Sequence, residues 1–250
     1  MLELSDVSHT YRSEQGRTVT LTRGLEGVSL TVPSLQFISV VGSSGCGKTT
    51  LLRLIAGLMR PSEGEIRVQG EPVRAPSPDR AVVFQQHTLY PWRSVLANVT
   101  LALELSGTAD GAEARRIAAG YLRLVGLTEF ADHHPSQLSG GMQQRVGVAR
   151  ALAVSPSILL MDEPFGSLDA ITRRELGAVL LRIWEGEQRT VVFVTHSIDE
   201  ALTLSDRVVL LREGRVAGDF PVALPRPRDP DGLLEEPEFV ELRRELRELL

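Results

Sequence analysis

The sequence predicts an α/β fold in which a core of alternating strands and helices is interrupted by a helical insert. Three observations lead to this fold class. Apolar runs of strand length recur near both ends of the chain. A helical pattern fills the stretch from about 94 to 155 between them. A strand, a glycine-rich loop and a helix follow one another directly at 35–58, which is the arrangement that a phosphate-binding loop requires.

The first 86 residues are expected to contribute strands, one helix and the glycine-rich loop. Pro33 and Ser34 mark a turn between two strands. The strand after this turn is apolar throughout, which is typical of a strand buried on both faces. Pro61 ends the helical pattern that follows the loop. The expected elements are strands at 20–32, 35–41, 64–70 and 80–85 and a helix at 48–58.

The middle of the chain is predicted to be helical before strands and helices alternate again. The expected elements are helices at 94–105, 111–127 and 140–154, a strand at 157–164, a helix at 169–187, a strand at 190–196, a helix at 198–205 and a strand at 206–216.

The C-terminal 30 residues differ in character from the rest. Five prolines within 221–237 indicate a linker-like segment. A helical pattern follows and places four apolar side chains on one face, Phe239, Leu242, Leu246 and Leu249. We therefore expect one domain at 1–220, with a core at 1–86 and 157–220 and a helical insert at 87–156, followed by a linker and amphipathic helix at 221–250.

Composition and charge exclude several classes of protein. The net charge of −5 argues against a nucleic-acid-binding protein that uses a broad basic face. Cys46 is the only cysteine, so an intrachain disulfide and a cysteine metal cluster are excluded, and a reducing cytosol is expected. The first residues lack the apolar core of a signal peptide, and the longest apolar runs are too short to cross a bilayer.

The loop at 42–50 fits the pattern G-x-x-x-x-G-K-[ST] and holds Lys48, the only lysine among 27 basic residues. Its glycines allow backbone N–H groups to turn toward a polyphosphate, and the following helix adds its dipole. Lys48 would reach the β- and γ-phosphates as a compact charge, and the Thr49 hydroxyl would bind Mg²⁺. The predicted phosphate-binding residues are Gly42, Ser43, Ser44, Gly45, Cys46, Gly47, Lys48, Thr49 and Thr50.

Further candidate groups stand at the ends of two predicted strands. Asp162 and Glu163 follow an apolar run, where a carboxylate can hold Mg²⁺ and its neighbour can orient or deprotonate a water molecule. His196 ends the apolar run that starts at 190, and ligand sites of α/β proteins gather at such strand ends. The other four histidines are expected in turns or loops without a functional role, His9, His87, His133 and His134.

A second predicted helix start is also suited to anions. Ser139, Gly140 and Gly141 open the helix at 140–154, so its N-terminal N–H groups could bind phosphate. A folded monomer need not bring this helix start to the loop at 42–50. Two copies arranged head to tail could place each helix start beside the ATP of the other copy.

These motifs together resemble the ATP-binding subunits of ABC transporters over nearly all of residues 1–220. The resemblance implies a RecA-like mixed sheet with an antiparallel β subdomain and an inserted helical subdomain. It implies ATP hydrolysis in which Lys48, Gln85, Glu163 and His196 take part. It implies Mg²⁺ ligands among Thr49, Gln85 and Asp162. It further implies nucleotide contacts by Tyr11, by Met142 beside the signature glycines, and by Asp169 in the loop 167–170.

Some assignments from the resemblance stay open. Tyr11 lies where the family carries an aromatic residue that stacks on adenine, but it could instead be a strand tyrosine that packs on the sheet. Met142 stands where many members carry glutamine, and Ser34 stands where glycine is common. Tyr90 and Trp92 could help form the groove for a membrane subunit or could be core aromatics of the insert.

A finer resemblance at 89–105, at 164–184 and in the C-terminal tail is to the nitrate, sulfonate and taurine importer group, whose relatives handle bicarbonate or thiamine precursors. It implies a homodimer at the cytoplasmic face of the cell membrane, bound to integral-membrane permease subunits and served indirectly by an extracytoplasmic solute-binding protein. No nucleic-acid partner is expected. The transported solute and the role of residues 221–250 stay open.

Two competing functions are weighed against the importer subunit. A soluble ABC-type ATPase usually has two cassettes or a long coiled coil, and the sequence has neither. A phosphate-loop kinase for a small metabolite would leave the residues 138–143 without a role. ATP hydrolysis without a phospho-acceptor would separate the kinase from the other two, and association with a multi-span membrane protein would separate the importer subunit from the soluble ATPase.

Overall fold

The computed structural model describes residues 1–15, 18–86, 88–166, 168–187, 189–228 and 232–250. His87 and Ser167, which the sequence analysis discussed, lie outside the described residues. The chain forms two compact units. The first unit comprises 1–77 and 190–250, and the second comprises 78–189.

The first unit contains an antiparallel sheet built by the N-terminal third of the chain. Its strands are β1 (Leu2–Gln15), β2 (Thr18–Val32), β4 (Glu63–Val68) and β5 (Glu71–Pro72), in the order β2-β1-β4-β5. Leu2 of β1 pairs with Val32 on one side and with Val68 on the other, and all three side chains are buried. His9 lies within β1, so the expectation that it occupies a turn or loop is wrong.

The same unit holds a mixed sheet whose three parallel strands carry continuous apolar runs and are buried, as expected for strands that are covered on both faces. Strand β3 (Phe37–Val41) pairs in parallel with β8 (Thr190–Thr195) and β9 (Arg207–Arg212), and β10 (Arg215–Pro221) pairs antiparallel with β9. Two helices of the unit, α1 (Lys48–Ile55) and α6 (Ile198–Leu204), pack on this sheet.

Residues 222–228 and 232–250 belong to the first unit, and the buried side chains of Val222, Leu224 and Arg228 show that the first of these stretches is not an exposed linker. A short 3-10 helix at 232–235 precedes α7 (Pro237–Leu249), and α7 packs on α6. Phe239 and Leu246 are completely buried in one apolar cluster, and Leu242 packs against it. Leu249 is exposed at the helix end, so three of the four predicted apolar residues face the protein.

The second unit combines a pair of parallel strands with helices. Its elements are β6 (Arg80–Val83), α2 (Val95–Ser106), α3 (Gly111–Leu124), α4 (Gly140–Ala153), β7 (Ile158–Asp162) and α5 (Ala170–Glu187). Helices α2, α3 and α4 pack on one another, and α4 also contacts β6. Because β6 pairs with β7, this unit extends beyond the insert predicted at 87–156.

Two local departures from the predicted elements have clear causes. The strand predicted at 206–216 is a hairpin of β9 and β10, because Glu213 and Gly214 both adopt positive φ angles and reverse the chain. The strand predicted at 35–41 begins at Phe37, since Leu35 takes a φ of +66° in the preceding turn. Among the described residues, no helix combines the length and apolar character that a bilayer crossing requires.

Candidate functional site

The glycine-rich loop of the first unit connects the buried strand β3 to helix α1. A Cβ atom at Gly42 would lie 2.3 Å from the carbonyl oxygen of Leu211, so only glycine fits there. Gly47 has a φ of +108°, and a Cβ atom there would lie 2.4 Å from the carbonyl oxygen of Gly24. Tight packing beneath the loop therefore fixes its backbone, while Ser43, Ser44 and Gly45 are exposed on its rim.

Lys48, the first residue of α1, is only 5% exposed. Its Nζ donates to the carbonyl oxygens of Gly42 at 2.8 Å and Ser43 at 3.0 Å. The ammonium group therefore lies over the loop, at a helix N-terminus whose dipole favours negative ligands. Cys46 is buried within the same loop, and Thr49 is half-buried.

Tyr11 of β1 is held against the first unit by several contacts. Its hydroxyl lies 2.9 Å from the Thr50 hydroxyl of α1, and its ring meets the ring of His9 edge-on at 4.8 Å. A Cβ atom at Gly24 would lie 2.9 Å from the Tyr11 ring, so the ring packs directly on this glycine. The side chain is 37% exposed, so both packing on the sheet and an adenine contact remain compatible with its position.

His196 is exposed in the turn between β8 and α6. Two polar side chains fix this turn. The Thr195 hydroxyl donates to Glu200 Oε2 at 2.6 Å and accepts the N–H of Ser197 at 3.0 Å. Ser197 caps α6 by accepting the N–H of Glu200 at 3.3 Å.

In the second unit, Asp162 and Glu163 stand at the end of β7, as the sequence predicts. Asp162 is 7% exposed and completes the buried strand. Glu163 has a φ of +43°, a conformation that costs a non-glycine residue about 1–3 kcal/mol and is found preferentially at functional sites.

Gln85 lies close to Glu163. A Cβ atom built on Gly166 would lie 3.8 Å from both Gln85 Nε2 and Glu163 Oε2, so the amide and the carboxylate face the same point. Gly166 also donates its N–H to the Glu163 carbonyl oxygen at 3.1 Å, which closes a tight turn after β7. The second unit therefore groups two polar side chains that can act on one water molecule.

Helix α4 begins where the sequence predicts. Ser139 is its N-cap, and its Oγ accepts the N–H of Met142 at 3.3 Å. Ser139 and Gly140 are exposed, and Gly141 and Met142 are half-buried, so the helix N-terminus opens to solvent. A Cβ atom at Gly141 would lie 2.9 Å from Thr172 Cγ2 of α5, so the two helices approach closely at this glycine.

Asp169 is the cap of α5. Its Oδ1 accepts the N–H groups of Ile171 and Thr172, each at 3.0 Å, and its Oδ2 accepts the Thr172 hydroxyl at 2.7 Å. The hydrogen bonds from Thr172 hold the pKa of the Asp169 carboxyl below its ordinary value. Through Thr172, the start of α5 is thus packed next to Gly141 at the start of α4.

A groove of about 460 Å³ opens in the second unit between α2, α4 and β6. Tyr90 lines it, and the rings of Tyr90 and Trp92 lie 5.7 Å apart. Both side chains are exposed, Trp92 at 72%, so the alternative that they are core aromatics is wrong.

Arg150 of α4 lines the groove and donates to the carbonyl oxygen and hydroxyl of Thr88 at 2.7 and 2.8 Å. Burial lowers the pKa of Arg150.

The sequence analysis missed the residue that holds this aromatic segment. Asn98 of α2 is completely buried, and its Oδ1 accepts the N–H of Tyr90 at 2.7 Å. Its Nδ2 donates to the carbonyl oxygens of Tyr90, Arg93 and Ser94. No motif of the sequence singled out Asn98.

Several known proteins resemble the chain over most of its length. The family profile described as "ABC transporter" matches residues 25–166. An uncharacterized ABC transporter ATP-binding protein of Methanocaldococcus jannaschii is 52% identical over 230 residues, covering 91% of this chain and 84% of that protein. The nitrate import ATP-binding protein NrtD of Synechococcus elongatus is 45% identical, covering 94% and 89%. The bicarbonate transport ATP-binding protein CmpD of a Synechocystis species is 44% identical, covering 97% and 86%.

Solved structures give the same result for the fold. A dimeric structure of the ATP-binding cassette MJ0796, in a post-hydrolysis state bound to ADP and Pi, has a TM-score of 0.80 and 35% identity, covering 90% of this chain and 100% of that one. A second dimeric structure of MJ0796, described as a bacterial ABC transporter cassette, has the same TM-score and identity. The predicted fold class is therefore confirmed.

Proposed function

The chain belongs to the ABC transporter family, and we propose that it is the ATP-hydrolysing subunit of an importer for a small anion. It binds and hydrolyses ATP as a cassette of this family. The observation that carries the proposal is that one chain presents two helix N-termini suited to phosphate. One is α1 behind the glycine-rich loop, and the other is α4 behind the exposed Ser139.

Binding of the triphosphate rests on the glycine-rich loop. Its backbone N–H groups, the N-terminus of α1 and the Lys48 ammonium are all positive partners for the β- and γ-phosphates. Lys48 would exchange its bonds to the Gly42 and Ser43 carbonyls for phosphate oxygens. Tyr11 would offer its exposed ring surface to the adenine base.

The donor set of the chain fits Mg²⁺. Thr49, Gln85 and Asp162 supply only oxygen ligands, and Asp162 is a nearly buried carboxylate at a strand end. Mg²⁺ prefers few protein ligands together with phosphate and water oxygens, so this small set suffices. When bound, the ion would neutralise charge on the phosphate oxygens during phosphoryl transfer.

Hydrolysis would depend on groups that position water and stabilise charge. Glu163 would orient the attacking water and take its proton, with the Gln85 amide facing the same point. The positive φ angle of Glu163 fits this role, because strained backbone conformations cluster at functional sites. His196, exposed on a turn fixed by Thr195 and Ser197, would contact the γ-phosphate.

A second copy of the chain would complete each nucleotide site. The N-terminus of α4 carries N–H groups and an N-cap hydroxyl that are open to solvent, which suits it to cap the phosphates bound by a partner chain. Asp169, which caps α5 and contacts the start of α4 through Thr172, would lie at the same interface. The dimeric structures of MJ0796 support this arrangement.

The groove beside Tyr90 and Trp92 would receive a helix of an integral-membrane permease. A mostly apolar groove that is lined by the exposed Tyr90, with the exposed ring of Trp92 next to Tyr90, is typical of a site for a partner helix. The chain would therefore act at the cytoplasmic face of the cell membrane, held there by the permease. The likeness to nitrate and bicarbonate transport proteins supports a small anion as cargo. An extracytoplasmic binding protein would deliver this cargo to the permease.

The substitution Glu163→Gln tests the proposed chemistry. It keeps the size of the side chain but removes its ability to take a proton, so turnover should fall about 10²–10⁴-fold while ATP binding is retained. Steady-state hydrolysis and equilibrium ATP binding measure the two effects. Glu104→Gln, at an exposed glutamate of α2, is the matched control and should leave both unchanged. Native turnover in Glu163→Gln would defeat the assignment.

A further inference from the structure

Helix α6 connects His196 to the C-terminal part of the chain. The helix begins two residues after His196 and ends at Leu204, so it has about two turns. The bonds of Thr195 and Ser197 to Glu200 join the His196 turn rigidly to the helix. A helix of this length is unstable alone, so its position is set by the residues that pack against it.

A buried arginine of the C-terminal segment holds the end of α6. Arg228 is only 6% exposed. Its guanidinium donates to five backbone carbonyl oxygens at 2.6–3.4 Å, those of Leu202, Thr203, Ser205, Val222 and Leu224. Three of these oxygens belong to the C-terminal end of α6, where carbonyls lack helical partners and the dipole favours a cation. Arg228 therefore binds the segment 222–228 to the end of the helix.

A second arginine adds to this attachment. Arg226 donates to the carbonyl oxygen of Leu204, the last residue of α6, at 2.7 Å. It also pairs with Asp206 at 2.8 Å. The C-terminal end of α6 is thus held by two guanidinium groups from one short stretch of chain.

Helix α7 covers the side of α6. Phe239 and Leu246 have no exposed surface and share one apolar cluster with Ile198, Ala201 and Leu202 of α6. The same cluster contains Val41, the last residue of β3, which directly precedes the glycine-rich loop. The C-terminal helix therefore packs on the element that leads away from His196 and near the strand that leads into the phosphate-binding loop.

We propose that the C-terminal segment positions His196 for ATP hydrolysis, with Arg228 and Phe239 as the positioning residues. The inference rests on the proposed role of His196. Neither residue needs to contact the nucleotide, because each acts by fixing α6. A displacement of about 1 Å in a catalytic group can cost about 10²-fold in rate, so a loosened helix would lower kcat while the phosphate-binding loop kept its affinity.

The test uses the full chain and two substitutions, Arg228→Met and Phe239→Ala. Each should lower kcat about tenfold, while the Kd of a fluorescent ATP analogue changes less than about twofold. Arg228→Lys restores the charge at the helix end and should recover part of the lost kcat. Leu242→Ala removes a half-buried side chain of the same cluster and serves as a milder variant where Phe239→Ala fails to fold.

Three controls separate positioning from stability. Arg247→Met and Val240→Ala replace exposed residues of the same helix and should leave kcat unchanged. Val28→Ala enlarges a buried space in β2 of the same unit and should lower Tm without lowering kcat at temperatures well below Tm.

Two results of this test would overturn the inference that the C-terminal segment positions His196. An unchanged kcat in the Arg228 and Phe239 variants would overturn the inference. A kcat that falls together with Tm in Val28→Ala would overturn it as well, because loss of stability alone would then explain the lower rate. His196→Ala separates it from the proposed function. If that variant loses hydrolysis and the tail variants keep it, only the inference fails. If His196→Ala keeps native turnover, the proposed role of His196 fails and the inference falls with it.

Discussion

Lys48 is unusual in two respects, since it is the only lysine of the chain and it is buried. Lysine is almost never fully buried unless its charge is paired or hydrogen-bonded. Here two carbonyl oxygens of its own loop accept from Nζ. An ammonium is compact and has three donors that rotate freely, whereas a guanidinium is planar and larger. The packing around Lys48 therefore explains why this position is not an arginine.

Replacing Lys48 by arginine should weaken ATP binding even though the charge is kept. The planar group cannot occupy the space between the Gly42 and Ser43 carbonyls, so we expect the Kd for ATP to rise at least tenfold, about 1.4 kcal/mol. Isothermal titration measures the change. Arg53→Lys, at an exposed position of the same helix, is the reverse exchange and should leave the Kd unchanged. Equal Kd values for ATP in Lys48→Arg and Arg53→Lys would show that an arginine fits at position 48 after all.

At the residue scale, the sequence motifs named the candidate groups but not their surroundings. The spacing of Gly42, Gly47 and Lys48 predicted a phosphate loop because its backbone needs glycine at fixed positions. No sequence pattern could show that Gln85 and Glu163 face one point, or that Thr172 packs against Gly141. Those relations depend on how separate parts of the chain fold together.

Among the elements, α2 shows how one helix can fix a functional surface. Asn98 in its first turns makes four hydrogen bonds to the segment 90–94, which carries Tyr90 and Trp92 at the groove. Ser94 caps the same helix through a bond from Ala97 N–H. The exposed aromatic rings therefore belong to a segment whose backbone is fixed by hydrogen bonds to a side chain of α2.

Asn98→Ala should destabilise the protein and loosen this segment. It removes the hydrogen bonds of a completely buried amide and leaves the N–H of Tyr90 without its acceptor, which costs about 1–3 kcal/mol. Urea unfolding measures the stability, and acrylamide quenching measures the freedom of Trp92, since Trp184 is buried. Thr100→Val is the control and removes one hydrogen bond, from the Thr100 hydroxyl to the Leu96 carbonyl oxygen. It should lower the free energy of unfolding less than Asn98→Ala does and leave the quenching of Trp92 unchanged. Native stability in Asn98→Ala would contradict this account.

The order and type of the long elements could be predicted from hydrophobic periodicity, whereas some of their limits could not. The strands and helices around the glycine-rich loop follow their apolar patterns closely. The hairpin of β9 and β10 was missed because Glu213-Gly214 is not one of the dipeptides that usually mark a two-residue turn. The prolines of 221–237 suggested a linker, but the buried Val222, Leu224 and Arg228 show a packed segment.

For the whole molecule, the two units do not follow the order of the sequence, because the first unit contains both ends of the chain. Strands β6 and β7 pair with each other and join the helices of the second unit, although they flank the predicted insert. The sequence suggests a dimer because it contains two helix starts that are suited to anions. It does not show which of the two chains contributes each helix start to one nucleotide site. The exposed N-terminus of α4 is the structural feature on which the proposed dimer depends.

The central claim is that two chains enclose ATP between the glycine-rich loop of one and the start of α4 of the other. Light scattering of Glu163→Gln with and without ATP tests it most directly. We predict a mass of one chain without ATP and of two chains with ATP, and loss of the dimer when Ser139→Arg is added, with ATP still bound. An ATP-loaded Glu163→Gln protein that keeps the mass of one chain, or a dimer that survives Ser139→Arg, would contradict the claim.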